Sequence, residues 1–325
     1  MVYHGFLGWG TGGFLGVDLF FVLSGLLITG ILLDTRGKSH SLRNFVARRS
    51  LRVFPLYYFV LALSFTLVPY LLNWLSAGGG LSESQGPGAG WFLLYAANFL
   101  PLFSDPSVSA WMGTAFGAHP LETIPDYLAV TWSLCVEEQF YLVWPILILF
   151  SGRLRPRFYV GLVLAIIATR IVVVQCFENW QSITYMTSSC RGDSLLIGAL
   201  LASIGRFARC EVRVWTGLSW FAAIIVLPAA VMWIVSSGGR GDAAFASVGY
   251  SAVAIGFAGW VGLAMTRRAS WLRSGLSVPI LRWFGSDSYG LYLYHMIVIC
   301  LLQAWRPAMT DPSGAIAYEA GFDPF

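Results

Sequence analysis

Charge is what this chain has least of. Lysine, arginine, aspartate and glutamate make up only 11% of its 325 residues, where soluble domains average about 25%. So little polar surface cannot cover a water-soluble globule, because a domain apolar on every face has no stable arrangement in water. Cysteine is sparse as well. Cys135, Cys176, Cys190, Cys210 and Cys300 show no metal-ligand spacing, so no metal is expected. Small apolar filler is the main reading, with a Cys176–Cys190 disulfide as the alternative. The start of the chain, Met1-Val2-Tyr3-His4-Gly5, has neither a basic segment nor a small-residue cleavage site, so no cleavable signal peptide is legible. No repeat, heptad array or separate soluble domain is visible, and nucleic acid is not among the expected partners.

What is present is apolar: 57% hydrophobic residues, 16% aromatic ones and 35 glycines, the last expected where membrane helices pack closely. Crossing a bilayer takes roughly 17–25 largely apolar residues. Such runs occur near 14–33, 53–75, 132–150, 158–176, 186–205, 214–235, 243–265 and 283–304. Residues 91–103 are apolar but too short for a crossing and read as re-entrant or interfacial, while 76–90 form a Gly/Ser/Pro loop. The fold class expected is all-α, a polytopic transmembrane bundle of about eight spans over residues 1–305, with a short tail at 306–325.

The cations test that topology. Arg36, Lys38, Arg43, Arg48, Arg49 and Arg52 separate the first two runs, and Arg153, Arg155 and Arg157 the third and fourth. Arg206, Arg209 and Arg213 follow the fifth, and Arg267, Arg268, Arg273 and Arg282 the seventh. Every second loop is thus basic, as cytoplasmic loops are, which puts both ends outside. An exterior start without a signal peptide leads to the expectation of a further helix upstream. The location expected is a cell membrane, specifically a bacterial inner membrane.

Ionisable residues inside apolar runs are costly and are therefore functional candidates. Asp18 opens the first run, and Glu137 and Glu138 lie early in the third. Arg191 and Asp193 begin the fifth, and His295 lies in the last. Ser133, Glu137 and Tyr141 recur at four-residue spacing and share one helix face, whereas Glu138 points about 100° away. One glutamate can thus line a cavity while the other faces a neighbour. Arg48, Arg49 and Arg52 cluster at a cytoplasmic helix start, where guanidinium forks suit phosphates; the blander reading is a topology signal. Asp18 as a helix cap, Arg191 with Asp193 as a structural pair, and His295 as a packing residue are the corresponding alternatives.

Taken together, these motifs resemble the acyltransferase-3 family of membrane O-acyltransferases. The resemblance rests on GVDLFFVLSGLLIT (16–29), FVARRSLRVFPLYY (45–58) and SLCVEEQFYLVWP (133–145), with RGDSLLIG (191–198) and SYGLYLYH (288–295) as weaker matches. It implies a helical bundle, a cytoplasmic acyl-CoA donor, specifically acetyl-CoA, and a carbohydrate or lipid-linked sugar acceptor. Membrane lipid surrounds it; the oligomeric state is left open. The family's first helix ends at a histidine matched here by His4, which the resemblance makes the general base, since a neutral imidazole accepts a proton near pH 7. Glu137 and Asp18 are its candidate acidic partners, Arg48, Arg49 and Arg52 the CoA ligands, and Arg191 a donor ligand or oxyanion stabiliser. The competing reading is a transporter or flippase of a lipid-linked sugar, which paired inverted repeats with broken helices would favour; none is seen.

Overall fold

Residues 15–75, 88–106, 108–109, 125–151, 154–207, 212–237, 241–265 and 274–305 are described by a computed structural model. Among them, each apolar run read from the sequence is a helix and no strand occurs. The helices are α1 (Leu15–Thr35), α2 (Ser41–Leu75), α3 (Thr131–Phe150), α4 (Pro156–Cys176), α5 (Ser188–Phe207), α6 (212–237), α7 (Phe245–Met265) and α8 (Pro279–Trp305). α1, α2, α3, α4, α6 and α7 are long and apolar enough to cross a membrane. The chain is therefore a multi-pass membrane protein. α5 and α8 are not among these six; α5 opens on the polar stretch Ser188–Ser194.

Polarity in α5 is turned inward. Arg191, Asp193 and Ser194 are fully buried, and α5 packs against α1, α3, α4 and α7, so it is the central helix. By contrast, α4 leaves most of its apolar surface exposed toward the surrounding hydrocarbon. α2 begins well before its apolar run, at Ser41, because Leu42, Phe45 and Val46 supply a helical stripe that continues into Arg49. Residues 91–103 do not cross. They break into the short helices Ala89–Leu93, Ala97–Phe99 and Leu100–Phe103. Cys176 is exposed, Cys190 is buried, and both are free thiols, so the alternative of a disulfide between them fails.

α1 and α5 cross at touching distance. A Cβ placed on Gly25 would lie 1.9 Å from the Leu195 carbonyl oxygen, and one on Gly198 would lie 2.0 Å from that of Val22. Small residues allow such an approach, and in lipid it is van der Waals contact that holds helices together. Backbone cannot yield as a flexible side chain does. Gly198→Leu should therefore separate the two helices and lower the detergent unfolding temperature by well over the effect of Gly161→Leu, where nothing lies within 4 Å. Equal shifts for the two variants would refute the close crossing.

Candidate functional site

Two ionic layers sit inside the bundle. In the first, α1 and α5 contribute Asp18 and Arg191. Arg191 Nη2 lies 2.9 Å from Asp18 Oδ1 with both side chains fully buried, and Ser194 donates to the same oxygen at 2.8 Å. The Arg191 guanidinium stacks 4.2 Å above the Tyr250 ring and 5.4 Å from that of Tyr185. Despite the ion pair, its Nε, Nη1 and Nη2 have no aligned hydrogen-bond acceptor.

Beside it, Arg170 of α4 is equally buried but well satisfied. It donates to Asp193 Oδ2 at 2.8 Å, to the Cys190 carbonyl at 2.9 Å, to the Ser247 carbonyl at 2.9 Å and to Ser251 Oγ at 2.5 Å. Ser251 in turn donates to Asp193 at 2.5 Å. The Ser247 carbonyl belongs to the π-helical turn Phe245–Gly249 that opens α7. The Arg191–Asp193 pairing entertained from the sequence does not form. Two residues apart on a helix, their side chains diverge by about 200°, and each takes a partner on a different neighbour.

The second layer is built by α1, α2 and α3. Along α1, Ser24 lies six residues from Asp18, a rise of about 9 Å. Tyr141 donates to Ser24 Oγ at 3.1 Å, and Trp144 Nε1 donates to Thr29 Oγ1 at 2.8 Å. Ser133, Glu137 and Tyr141 all face the core, as their shared helix face predicts. Arg49 lies over the Tyr141 ring at 4.0 Å. From there it reaches Glu137 at 3.6 Å and Glu138 at 3.8 Å. Both contacts are too long for hydrogen bonds, and Glu137 Oε1 has no partner. Glu137 is thus a buried carboxylate with one unpartnered oxygen, beside the hydroxyls of Ser24 and Tyr141.

Next to this layer, α2, α3 and the broken segment at Leu94 and Tyr95 line an open cleft of about 330 Å³. Arg49, Ser50, Tyr95, Glu138 and Gln139 form its polar wall, and Leu42, Val46, Leu94, Leu142 and Ile146 are among its apolar lining. Of the two glutamates, Glu138 faces the cleft and Glu137 faces the core. Gln139 pins the broken segment in place by donating to the Tyr95 carbonyl at 2.7 Å and to Asn98 Oδ1 at 2.9 Å. Its own oxygen accepts from Ser188. Tyr95 has a positive φ of 52°, an uncommon state for a non-glycine residue. Its ring is held there by stacking on Tyr57 at 4.2 Å between centroids.

The proposed site residues are therefore not one constellation. Asp18 and Arg191 pair with each other, Glu137 pairs with Arg49, and Arg48 and Arg52 point away as exposed side chains. His4 lies outside the described residues. His295 is buried and its Nδ1 contacts the Tyr292 carbonyl at 2.7 Å. The sequence reading missed Arg170, although an arginine within the run 158–176 meets its own criterion for a costly intramembrane charge. It also missed Gln139, Asn98 and Ser188, whose uncharged side chains carry no comparable signal. Among the described residues, no group of three His, Cys, Asp or Glu side chains could hold a metal ion.

Comparison with known proteins gives this arrangement a family. The pattern of a family described as an acyltransferase domain matches residues 1–313. The chain belongs to this acyltransferase family. It is 29% identical over 322 residues to the peptidoglycan O-acetyltransferase OatA of Listeria monocytogenes, covering 93% of this chain and 47% of that protein. It is 28% identical over 328 residues to the O-acetyltransferase OatA of Staphylococcus aureus, covering 94% of this chain and 49% of that one. The chain thus spans about half the length of these relatives. No solved structure gives a significant match.

Proposed function

We propose that this chain transfers an acetyl group from a cytoplasmic acetyl-CoA donor to a hydroxyl of a cell-wall glycan, peptidoglycan being the acceptor named for the Listeria relative. It would do so from a bacterial inner membrane. The observation that carries this reading is the buried Glu137 carboxylate. One of its oxygens has no partner and its contact to Arg49 is long, in a chain of the acyltransferase family. Such a carboxylate can take up an imidazole N–H, hold the ring in one tautomer and stabilise the imidazolium that forms in transfer.

In this reading the His4 imidazole takes the proton from the acceptor hydroxyl, and the hydroxyl oxygen attacks the thioester carbonyl carbon. The tetrahedral oxyanion meets Arg191, whose buried N–H groups lack aligned acceptors. The intermediate then collapses, the C–S bond breaks, and the departing thiolate recovers the proton from the imidazolium. Asp18 holds Arg191 in place through the 2.9 Å ion pair and stands as the second acidic candidate. Arg48 and Arg52, exposed at the basic start of α2, suit the donor's phosphates.

Expression of the chain in a bacterium whose cell wall lacks O-acetyl groups tests the reading. Base-labile acetate on purified wall glycan, located by mass spectrometry, is the expected result. A wall with no added acetate, despite correct membrane insertion, would count against it.

A further inference from the structure

Arg170 and Arg191 are both fully buried, and they are stabilised in opposite ways. Arg170 commits its N–H groups to acceptors: Asp193, the carbonyls of Cys190 and Ser247, and Ser251 Oγ. Arg191 has Asp18 as its acidic partner and otherwise lies over rings, Tyr250 at 4.2 Å and Tyr185 at 5.4 Å. A ring face attracts a desolvated cation without taking up any particular N–H. The charge of Arg191 is thereby met while its Nε and Nη1 are left without an acceptor.

The placement of Tyr250 has a local cause. The π-helical turn Phe245–Gly249 directly precedes it, and one extra residue in a helix rotates everything after it by about 100°. In that register the Ser247 carbonyl and Ser251 Oγ face Arg170. The Tyr250 ring, one turn along the same face, lies 5.9 Å from the Arg170 guanidinium and 4.2 Å from that of Arg191. Phe245 meets the Tyr250 ring edgewise, with 5.3 Å between centroids. A Cβ on Gly249 would fall 2.2 Å from the Phe245 ring, so only glycine lets the rings meet at this turn. Single π turns inside α-helices recur at functional sites, and this one aligns three residues on the two buried arginines.

We propose that Tyr250 is a positioning residue for acyl transfer, whose ring face holds the Arg191 guanidinium and leaves its N–H fork for the developing oxyanion. This role rests on the oxyanion part given to Arg191 above, and it belongs to the π face of the ring, not to the hydroxyl.

The test is steady-state transfer by the full chain in lipid nanodiscs, from acetyl-CoA to a soluble peptidoglycan fragment. Unfolding temperature is measured in parallel. Tyr250→Leu should lower kcat by more than about tenfold, the scale of one buried cation–π contact. Tyr250→Phe should recover it to within about threefold of the parent. Phenylalanine bearing one, two or three ring fluorines is then placed at the same position by amber suppression. Each fluorine draws electron density from the ring face and barely changes its size. Along this series kcat should fall stepwise, to about a tenth of the phenylalanine value with three fluorines. KM for acetyl-CoA should hold within about twofold, because the oxyanion charge develops only in transfer. A ring that serves the fold alone would lower the unfolding temperature along the series and leave kcat flat, which overturns the proposal. Tyr250→Phe as inactive as Tyr250→Leu would also overturn it, by assigning the role to the hydroxyl. A parent chain that transfers no acetate is a different failure: it removes the functional reading itself, and the role of Tyr250 with it.

Discussion

Asp193→Ala should lower the stability of the bundle by about 3–5 kcal/mol, because removing one partner of a buried ion pair leaves the other as an uncompensated charge. Asp193 is fully buried, receives the 2.8 Å hydrogen bond from Arg170, and accepts from Ser251 at 2.5 Å. Without it the Arg170 guanidinium would stay among α4, α5 and α7 with only carbonyl and hydroxyl acceptors. In the double variant Asp193→Leu/Arg170→Met no charge remains to be stranded. Replacing a buried pair by apolar side chains is often close to neutral, so the double variant should recover much of the lost stability. Unfolding in mild detergent, followed by denaturant titration, measures both. A double variant as unstable as Asp193→Ala would show that packing, not the charge, accounts for the loss.

Glu137→Gln should have the larger effect on chemistry and a small one on stability. The substitution keeps the shape and removes the charge, and Arg49 retains Glu138 as a counter-charge at 3.8 Å. If Glu137 orients the base, transfer should fall on the order of a hundredfold or more, the usual contribution of positioned acid–base groups, while the unfolding temperature stays near that of the parent. Asp18→Asn provides the contrast. Its carboxylate is tied to Arg191 at 2.9 Å and to Ser194 at 2.8 Å, and α5 has no second carboxylate there for Arg191 to turn to without breaking the Asp193–Arg170 pair. Asp18→Asn should therefore cost stability and activity together. A Glu137→Gln chain with full turnover would leave Asp18 as the acidic residue that matters.

The membrane class and the apolar runs that became helices were legible in the sequence, because burial in hydrocarbon is a property of composition over a window of about twenty residues. So was the inward face of α3, since Ser133, Glu137 and Tyr141 repeat at helical spacing and all three are buried. The acyltransferase family was legible too, through motifs that lie on α1, α2 and α3 and now match over residues 1–313. Intramembrane charge marked Asp18, Glu137, Arg191 and Asp193 as costly positions, and each proves buried.

Partner choice was not legible. Arg191 and Asp193 are near in sequence yet pair with Asp18 and Arg170, because a helix turns adjacent side chains toward different neighbours and only the packing of α1 and α4 on α5 decides which. The same rotation splits the arginine cluster of α2. Arg49 faces Glu137 and Glu138, while Arg48 and Arg52 face outward. It also splits the glutamate pair, turning Glu138 to the cleft and Glu137 to the core. Composition and periodicity along one chain determined that these charges would be buried and on which helices. Tertiary packing decided which charge met which, since pairing depends on crossing angle and helix rotation between segments far apart in sequence.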